Sequence, residues 1–176
     1  MKKAFYFLLI SFVAVLSINS TMAQTDDRGY IVKVGDKAPD DFVLQLTNGK
    51  KVTLKELRGH VVLLQFTASW CSVCRKEMPH LENEIWKAYK DKGLVFIGVD
   101  RDEPLDVVKK FQTEMKISYP LALDSAANIF AKFADRKAGV TRNVLIDKEG
   151  KIIFLTRLYN EKEFELLKQN VAALFQ

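Results

Sequence analysis

Apolar runs of strand length alternate with helical patterns along most of this chain. Two short segments, 42–46 and 51–54, flank the dipeptide Asn48-Gly49 and predict a β-hairpin, because that dipeptide favours a tight turn between antiparallel strands. An unbroken apolar run over 61–66 then predicts a strand that is covered on both faces. The hairpin therefore precedes the main body of the fold.

Further helices and strands follow from the same patterns. Apolar residues three and four positions apart predict helices over residues 72–92, 104–115, 126–133 and from 161 onward. Apolar stretches bounded by turn residues predict strands over residues 94–99, 121–123, 143–146 and 152–156. Alternating strands and helices followed by an antiparallel pair indicate an α/β domain with a mixed central sheet flanked by helices.

The composition is that of one folded domain. The chain has 176 residues, of which 48% are hydrophobic and 28% charged, so it can bury one sizeable core and is not a largely disordered chain. Basic residues alternate with acidic ones and form no cluster with aromatic residues. We therefore expect no nucleic acid partner.

The first 23 residues have the three-part pattern of a secretory signal. Lys2 and Lys3 precede an apolar run over 4–18, and Thr21 and Ala23 are small residues before a cleavage site. Cleavage removes both lysines, which lowers the net charge from +5 to +3, and leaves a soluble periplasmic or otherwise extracytoplasmic protein. An uncleaved segment would instead tether it to the membrane. The predicted divisions are a signal peptide over 1–23, a flexible segment over 24–34 and one domain over 35–176.

The only two cysteines are Cys71 and Cys74, and their spacing suits redox chemistry better than a structural cross-link. Export places them where disulfides persist, but so small a loop removes little entropy from the unfolded chain. Because the pair begins the helix predicted over 72–92, backbone N–H groups and the helix dipole favour the thiolate of Cys71. Cys74 lies three residues later, within reach of a disulfide, and is the expected resolving thiol.

This asymmetry predicts an order of reaction. The Cys71 thiolate attacks a disulfide in a partner, and Cys74 then attacks Cys71 to release the reduced partner. Run in reverse, the same steps oxidise dithiols. Glu77 lies three residues past Cys74, where it can take or return a proton, although a solvated surface glutamate fits the same spacing.

Two other interpretations of the cysteine pair stay open. A zinc site would need two further ligands, for which His60 and His80 are the candidates. A structural disulfide would make the chain a non-catalytic binding module. The reduction potential of the pair distinguishes the binding module from the reductase.

The stretch from Gln65 to Pro79, which reads QFTASWCSVCRKEMP, resembles the active-site segment of the TlpA/ResA branch of thioredoxin-like proteins, in the AhpC/TSA-redoxin superfamily. The resemblance extends to 35–57, which is similar to this branch's extra N-terminal hairpin, and to a central strand and helix extension over 104–133. It implies a thioredoxin-like fold and a protein-disulfide reductase, or thiol-disulfide interchange protein, that depends on no bound cofactor or metal.

The resemblance also implies roles for single residues. Cys71 matches the attacking cysteine, Cys74 the resolving one, and Glu77 the family's glutamate near the second cysteine. The supporting positions are Trp70 as the neighbouring aromatic residue, Pro79 as the proline that kinks the helix and Gln65 in place of the buried acid of classical thioredoxins.

Two positions depart from the family pattern. The dipeptide between the cysteines lacks the usual proline, so the redox potential and the direction are not carried over. The family's cis-proline falls at Thr141, in the loop Val140-Thr141-Arg142 that normally offers backbone groups to the substrate. Thr followed by Arg resembles peroxiredoxins, whose cysteine motif is absent here; the alternative is a thiol peroxidase that uses Cys71 with help from Arg142.

The resemblance further implies the partners. These are proteins that contain disulfides, including apocytochromes for some relatives, and a membrane thiol-electron carrier that re-reduces the cysteine pair. We expect the protein itself to be a monomer.

Overall fold

Seven strands form one mixed sheet in the computed structural model, which describes residues 28–176. They are β1 Leu44–Leu46, β2 Lys51–Val52, β3 Val62–Thr67, β4 Val95–Arg101, β5 Leu121–Asp124, β6 Arg142–Ile146 and β7 Ile152–Arg157. Their order is β2-β1-β5-β4-β3-β6-β7, in which β3, β4 and β5 are parallel and the other neighbours antiparallel. The predicted N-terminal hairpin and mixed sheet are confirmed.

The helices lie largely where the sequence pattern predicts them. They are α1 Ser72–His80, α2 Lys87–Tyr89, α3 Leu105–Met115 and α4 Glu161–Ala173. A π-helical segment, Leu81–Trp86, joins α1 to α2. The run ends at Gly93, whose φ of 98° is a left-handed conformation that glycine adopts without strain.

Alternation along the strands separates two cores. On β3, Leu64 and Phe66 point into one core and Leu63 into the other. The Leu63 side is covered by helices, through side chains that include Met78 of α1, Phe111 of α3 and Leu167 of α4. The opposite side is covered by loops and by the 3-10 turn Phe130–Lys132.

The helix predicted over 126–133 is wrong, because only the turn Phe130–Lys132 forms there. Ala127 has a left-handed φ of 49°, which interrupts a right-handed helix. The Asp124 carboxylate accepts the backbone N–H groups of Ile129 at 3.0 Å and Phe130 at 2.8 Å, and so caps the short turn instead. The helical spacing of apolar residues here reflects their burial against the sheet.

The predicted signal segment, 1–23, lies outside the described residues. Between residues 28 and 176, no helix combines the length and the apolar composition that crossing a membrane requires. Part of the segment 24–34 is described, and there the Tyr30 hydroxyl donates to the backbone carbonyl of Thr156 at 2.6 Å. The domain boundary at residue 35 stays a prediction.

Candidate active site

Cys71 ends the turn that follows β3 and caps α1. Its backbone is extended, with φ −85° and ψ 103°, and its sulfur accepts the backbone N–H of Cys74 at 3.1 Å. The first N–H groups of a helix have no partner within the helix and carry the positive end of its dipole. The sulfur therefore lies where a negative charge is stabilised, as the sequence predicts.

The two cysteines form a disulfide, with their Cα atoms 5.3 Å apart. Cys74 is fully buried, whereas 8% of the Cys71 surface is exposed. An incoming disulfide therefore reaches Cys71 first. This asymmetry fits the attacking and resolving roles that the sequence assigns to the pair.

Thr141 contacts the disulfide from the loop before β6. Because β6 pairs antiparallel with β3, this loop lies beside the turn that carries Cys71. The Thr141 hydroxyl oxygen is 3.1 Å from the Cys71 sulfur and 3.3 Å from the Cys74 sulfur. A hydroxyl can donate a hydrogen bond to a thiolate, which a proline side chain cannot do. The Thr141 carbonyl accepts the backbone N–H of Leu158 at 3.2 Å, so it is bonded within the chain.

Two neighbours give the site an apolar surrounding. Trp70, directly before Cys71, leaves 61% of its surface exposed. Val140 is buried in the core that also contains both cysteines. The exposed aromatic ring is thus available to a partner, while Val140 belongs to the apolar core in which the disulfide lies.

The turn before Cys71 is held from two sides. The Glu103 carboxylate accepts both the backbone N–H and the hydroxyl of Ser69, each at 2.5 Å. The Ser69 carbonyl accepts the Arg75 guanidinium at 2.7 Å, and that guanidinium also lies over the Phe111 ring. These contacts hold the turn between β3 and the start of α1 in place. They also give the Arg75 side chain a structural role.

Glu77 is buried, so it is not a solvated surface glutamate; only 2% of its surface is exposed. One carboxylate oxygen accepts the Asn143 amide at 2.7 Å, and the other accepts the Gln65 amide at 3.4 Å. Burial raises the pKa of Glu77 to about 7, and the two amide donors oppose that rise. The carboxyl group can therefore both take and release a proton near neutral pH.

A polar row, formed by Gln65, Asn143 and Thr156, crosses the sheet beneath α1. Strand register places Gln65 beside Asn143 and Asn143 beside Thr156. Gly98 lies on the other side of Gln65, and the Tyr119 hydroxyl donates to the Gln65 side-chain oxygen at 2.9 Å. Sequence reasoning selects Gln65 but misses Asn143 and Thr156, whose only signal is a polar residue within an apolar strand.

Pro79 lies within α1, close to the point where the π-helical segment begins. A proline inside a helix removes one backbone N–H donor, and π-helical turns often accompany such local disruption. The Asn83 side-chain amide donates to the Pro79 carbonyl at 2.8 Å. The change in helical pattern is thus located just past this proline.

Arg142 is fully buried and connects the start of the described chain to the loop before β6. Its guanidinium lies over the Tyr30 ring at 4.4 Å. It donates to the carbonyls of Gly139 at 3.1 Å and Arg28 at 2.6 Å. These contacts give the side chain a role in holding this part of the fold together.

Asp100, near the end of β4, is a second buried acid, and sequence reasoning does not single it out. It is fully buried, no described N–H group donates to either carboxyl oxygen, and its side-chain interaction with the Glu103 carboxylate favours the protonated acid. Burial, with the nearby carboxylates of Glu103 and Asp102, raises its pKa to about 8. Its signal in the sequence is an acid at the end of an apolar strand.

The candidate zinc ligand His80 has other partners. Its ring pairs with the Glu84 carboxylate at 2.8 Å and stacks on Tyr159. Within residues 28–176, no three His, Cys, Asp or Glu side chains are grouped as metal ligands.

Comparison with known proteins gives consistent results. The model of the AhpC/TSA family matches residues 34–155. Thiol-disulfide oxidoreductase ResA of Bacillus cereus is 34% identical over 151 residues, covering 83% of this chain and 85% of the relative. The solution structure of a Bacteroides thetaiotaomicron protein assigned as a disulfide isomerase is 59% identical, with a TM-score of 0.81, covering 84% of this chain and 92% of that one.

A further solved structure extends the likeness to another oxidoreductase. It is the thioredoxin domain of a thiol-disulfide oxidoreductase from Bacteroides vulgatus, 27% identical with a TM-score of 0.68. The match covers 80% of this chain and 99% of that domain. The fold described above is thus shared with proteins of thioredoxin-like fold.

Proposed function

This chain belongs to the AhpC/TSA family and is a thiol-disulfide oxidoreductase, and from that premise we propose that it reduces disulfides of other proteins outside the cytoplasm. The observation that carries the proposal is the Cys71–Cys74 disulfide at the start of α1, with the Thr141 hydroxyl beside both sulfurs. The apolar run at residues 4–18 supports export.

The reaction begins at Cys71. In the reduced protein its thiolate is stabilised by the helix start and by the Thr141 hydroxyl. The thiolate attacks one sulfur of the substrate disulfide, and the other substrate sulfur leaves as a thiolate. The product is a mixed disulfide between Cys71 and the substrate.

Cys74 then resolves the mixed disulfide. Its thiol transfers a proton to the ionised Glu77 carboxylate, which lies one helical turn further along α1. The Cys74 thiolate attacks the Cys71 sulfur, and the second substrate sulfur is released. Two electrons pass to the substrate and the cysteine pair becomes oxidised; an external dithiol, for which we propose a membrane thiol-electron carrier, resets it.

The surroundings of the site suit a protein substrate. The exposed Trp70 ring offers an apolar surface directly beside Cys71. We propose that proteins with disulfides, among them apocytochromes with paired cysteines, are the substrate class. We further propose that the protein acts as a soluble monomer after signal cleavage.

Substrate capture tests the proposal. Cys71→Ser should abolish disulfide turnover, whereas Cys74→Ser should accumulate a mixed disulfide between Cys71 and its partner. The double variant Cys71→Ser with Cys74→Ser is the matched control, because it keeps the surface and lacks both thiols. A Cys74→Ser protein that captures no more partner than this control would contradict the proposed reductase.

The reduction potential of the cysteine pair tests the direction. A value near that of thioredoxin, about −270 mV, supports a reductant, whereas a value near about −120 mV indicates a strong oxidant and overturns the direction. Rapid sulfenic acid formation at Cys71 with dilute peroxide would instead support the thiol peroxidase alternative.

A further inference from the structure

Asn143 is the shortest-range donor to Glu77 and lies in the middle of the polar row. It is fully buried on β6, and its amide nitrogen donates to Glu77 at 2.7 Å and to the Thr156 hydroxyl at 2.8 Å. Both amide hydrogens are therefore used. The Glu77 carboxylate cannot donate when ionised, so the amide nitrogen must face it.

This orientation leaves the side-chain oxygen of Asn143 without a hydrogen-bond partner among the described residues. A buried acceptor without a partner costs free energy, and such groups in a native protein call for an explanation. An apolar side chain at this position in β6 would avoid the cost. The amide is thus better explained by what it does for Glu77 than by stability.

The second donor to Glu77 is longer and depends on another side chain. Gln65 donates at 3.4 Å, and its amide is oriented by the Tyr119 hydroxyl, which donates to the Gln65 oxygen. A hydrogen bond of 3.4 Å is weak compared with one of 2.7 Å. Asn143 therefore provides most of the hydrogen bonding that stabilises the ionised form.

We propose that Asn143 is the positioning residue that sets the pH range over which Glu77 exchanges a proton with Cys74. The inference rests on the proposed function for the identity of the proton donor, but the effect of Asn143 on the Glu77 carboxyl does not. Asn143 acts through Glu77 and does not touch the sulfurs. Without its amide, Glu77 holds its proton more tightly and is less available as a base.

Several other titratable groups face Glu77 from the surrounding elements. Glu163, at the start of α4, is an acid whose charge also favours the protonated form of Glu77. Tyr119, before β5, and Tyr159, after β7, interact electrostatically with Glu77 and titrate above neutral pH. On its own helix the neighbour is Cys74. Asn143 is the group among these contacts that favours the charged carboxylate at short range.

The experiment replaces the amide and follows the Glu77 carboxyl directly. Asn143→Leu removes both amide hydrogens and keeps a similar volume. With ¹³C-labelled glutamate, the side-chain carboxyl resonance of Glu77, assigned by its loss in Glu77→Gln, is followed from pH 4 to pH 10. We expect proton affinity to rise about tenfold, because a hydrogen bond to a charged group is lost.

A matched control removes a hydrogen bond to the backbone of the same strand without touching Glu77. Tyr30→Phe deletes a hydroxyl that donates to the backbone carbonyls of Asn143 and Thr156. This variant should leave the pH at which the Glu77 carboxyl resonance titrates unchanged. Asn143→Ala is measured alongside Asn143→Leu, because the smaller alanine side chain cannot clash with the residues packed around β6.

The outcomes separate this inference from the proposed function. An unchanged Glu77 titration in both Asn143 variants, or an equal change in Tyr30→Phe, overturns the inference even if Cys74→Ser still captures a partner. A shifted titration, with the pH profile of disulfide turnover displaced to higher pH and its maximum kept, supports it. A shifted titration with an unmoved turnover profile overturns the link from Asn143 to the reaction.

Discussion

Glu77 and Asp100 are two buried carboxyl groups with opposite surroundings. Glu77, one helical turn past Cys74, receives hydrogen bonds from two amides, and burial raises its pKa to about 7. Asp100, near the end of β4, receives no hydrogen bond from a described N–H group, and burial together with the carboxylates of Glu103 and Asp102 raises its pKa to about 8. The comparison indicates that neighbouring donors and charges, and not depth alone, set the pKa of a buried acid.

The two acids also differ in what lies next to them. Glu77 follows Cys74 by one helical turn, whereas Asp100 lies near Glu103, which holds the backbone of Ser69. When Asp100 is protonated, it adds no second negative charge beside the Glu103 carboxylate. We therefore expect Glu77 to affect the reaction and Asp100 to affect mainly stability.

The largest expected effect is on stability, in Asp100→Asn. The folded state holds a proton on Asp100 that the unfolded chain releases above about pH 4, so wild-type stability falls between about pH 4 and pH 8. The neutral amide avoids this loss. We expect the variant to match wild type at pH 4 and, at pH 7, to have a free energy of unfolding that is higher by roughly a few kcal/mol.

Urea unfolding at both pH values measures the difference, and disulfide turnover at pH 7 is the control. Turnover should stay near that of wild type. A variant that is less stable than wild type at pH 7 would show that Asp100 has a donor and that the contrast with Glu77 is wrong.

The next effect is on turnover, in Glu77→Gln. The amide keeps the size of the carboxyl group but cannot take a proton from Cys74. We expect the rate of disulfide reduction to fall about 100-fold, the scale of general base catalysis. The step that slows should be release of the mixed disulfide, measured by quenching at short times, while attack by Cys71 keeps its rate. Slow attack with normal release would place Glu77 on the wrong cysteine.

How far the sequence predicts this site depends on whether the signal is local. The apolar run of β3, the start of α1 and the placement of Cys71 follow from neighbouring residues, and the structure confirms them. Spacing selects Glu77 as the proton partner, but the sequence does not show that this side chain is buried, because the same spacing suits an exposed one. Asn143 becomes its partner only through the register of β6 against β3.

The failed helix over 126–133 has a similar cause. The apolar spacing there fits a helix, but the left-handed backbone of Ala127 and the cap from Asp124 depend on contacts that the pattern does not contain. Thr141 is a mixed case. The missing proline is visible in the sequence, whereas the contact of the hydroxyl with both sulfurs requires the folded loop.

A smaller effect concerns the stability of Glu77→Gln. Glu77 is also an acid with a raised pKa, so it lowers wild-type stability as pH rises from about 4.5 to about 7. The variant lacks this dependence, but its own amide fits less well against the Gln65 amide. We expect about 2 kcal/mol of added stability at pH 7 and none at pH 4, measured by urea unfolding of the oxidised protein. An added stability equal to that of Asp100→Asn would contradict the solvating role of the amides.

The smallest effect comes from Tyr119→Phe, which tests the orientation of a donor without removing it. The Tyr119 hydroxyl donates to the Gln65 oxygen and so keeps the Gln65 nitrogen toward Glu77. Without the hydroxyl, the Gln65 amide can rotate and present its oxygen to the carboxylate, which disfavours ionisation. We expect about 1 kcal/mol of lost stability and a modest rise in the proton affinity of Glu77, smaller than in Asn143→Leu. The ¹³C resonance of the Glu77 carboxyl group, followed against pH, measures the change in proton affinity. A rise as large as that in Asn143→Leu would mean that the longer hydrogen bond matters as much as the shorter one, so that Glu77 is held in its working range by the whole polar row.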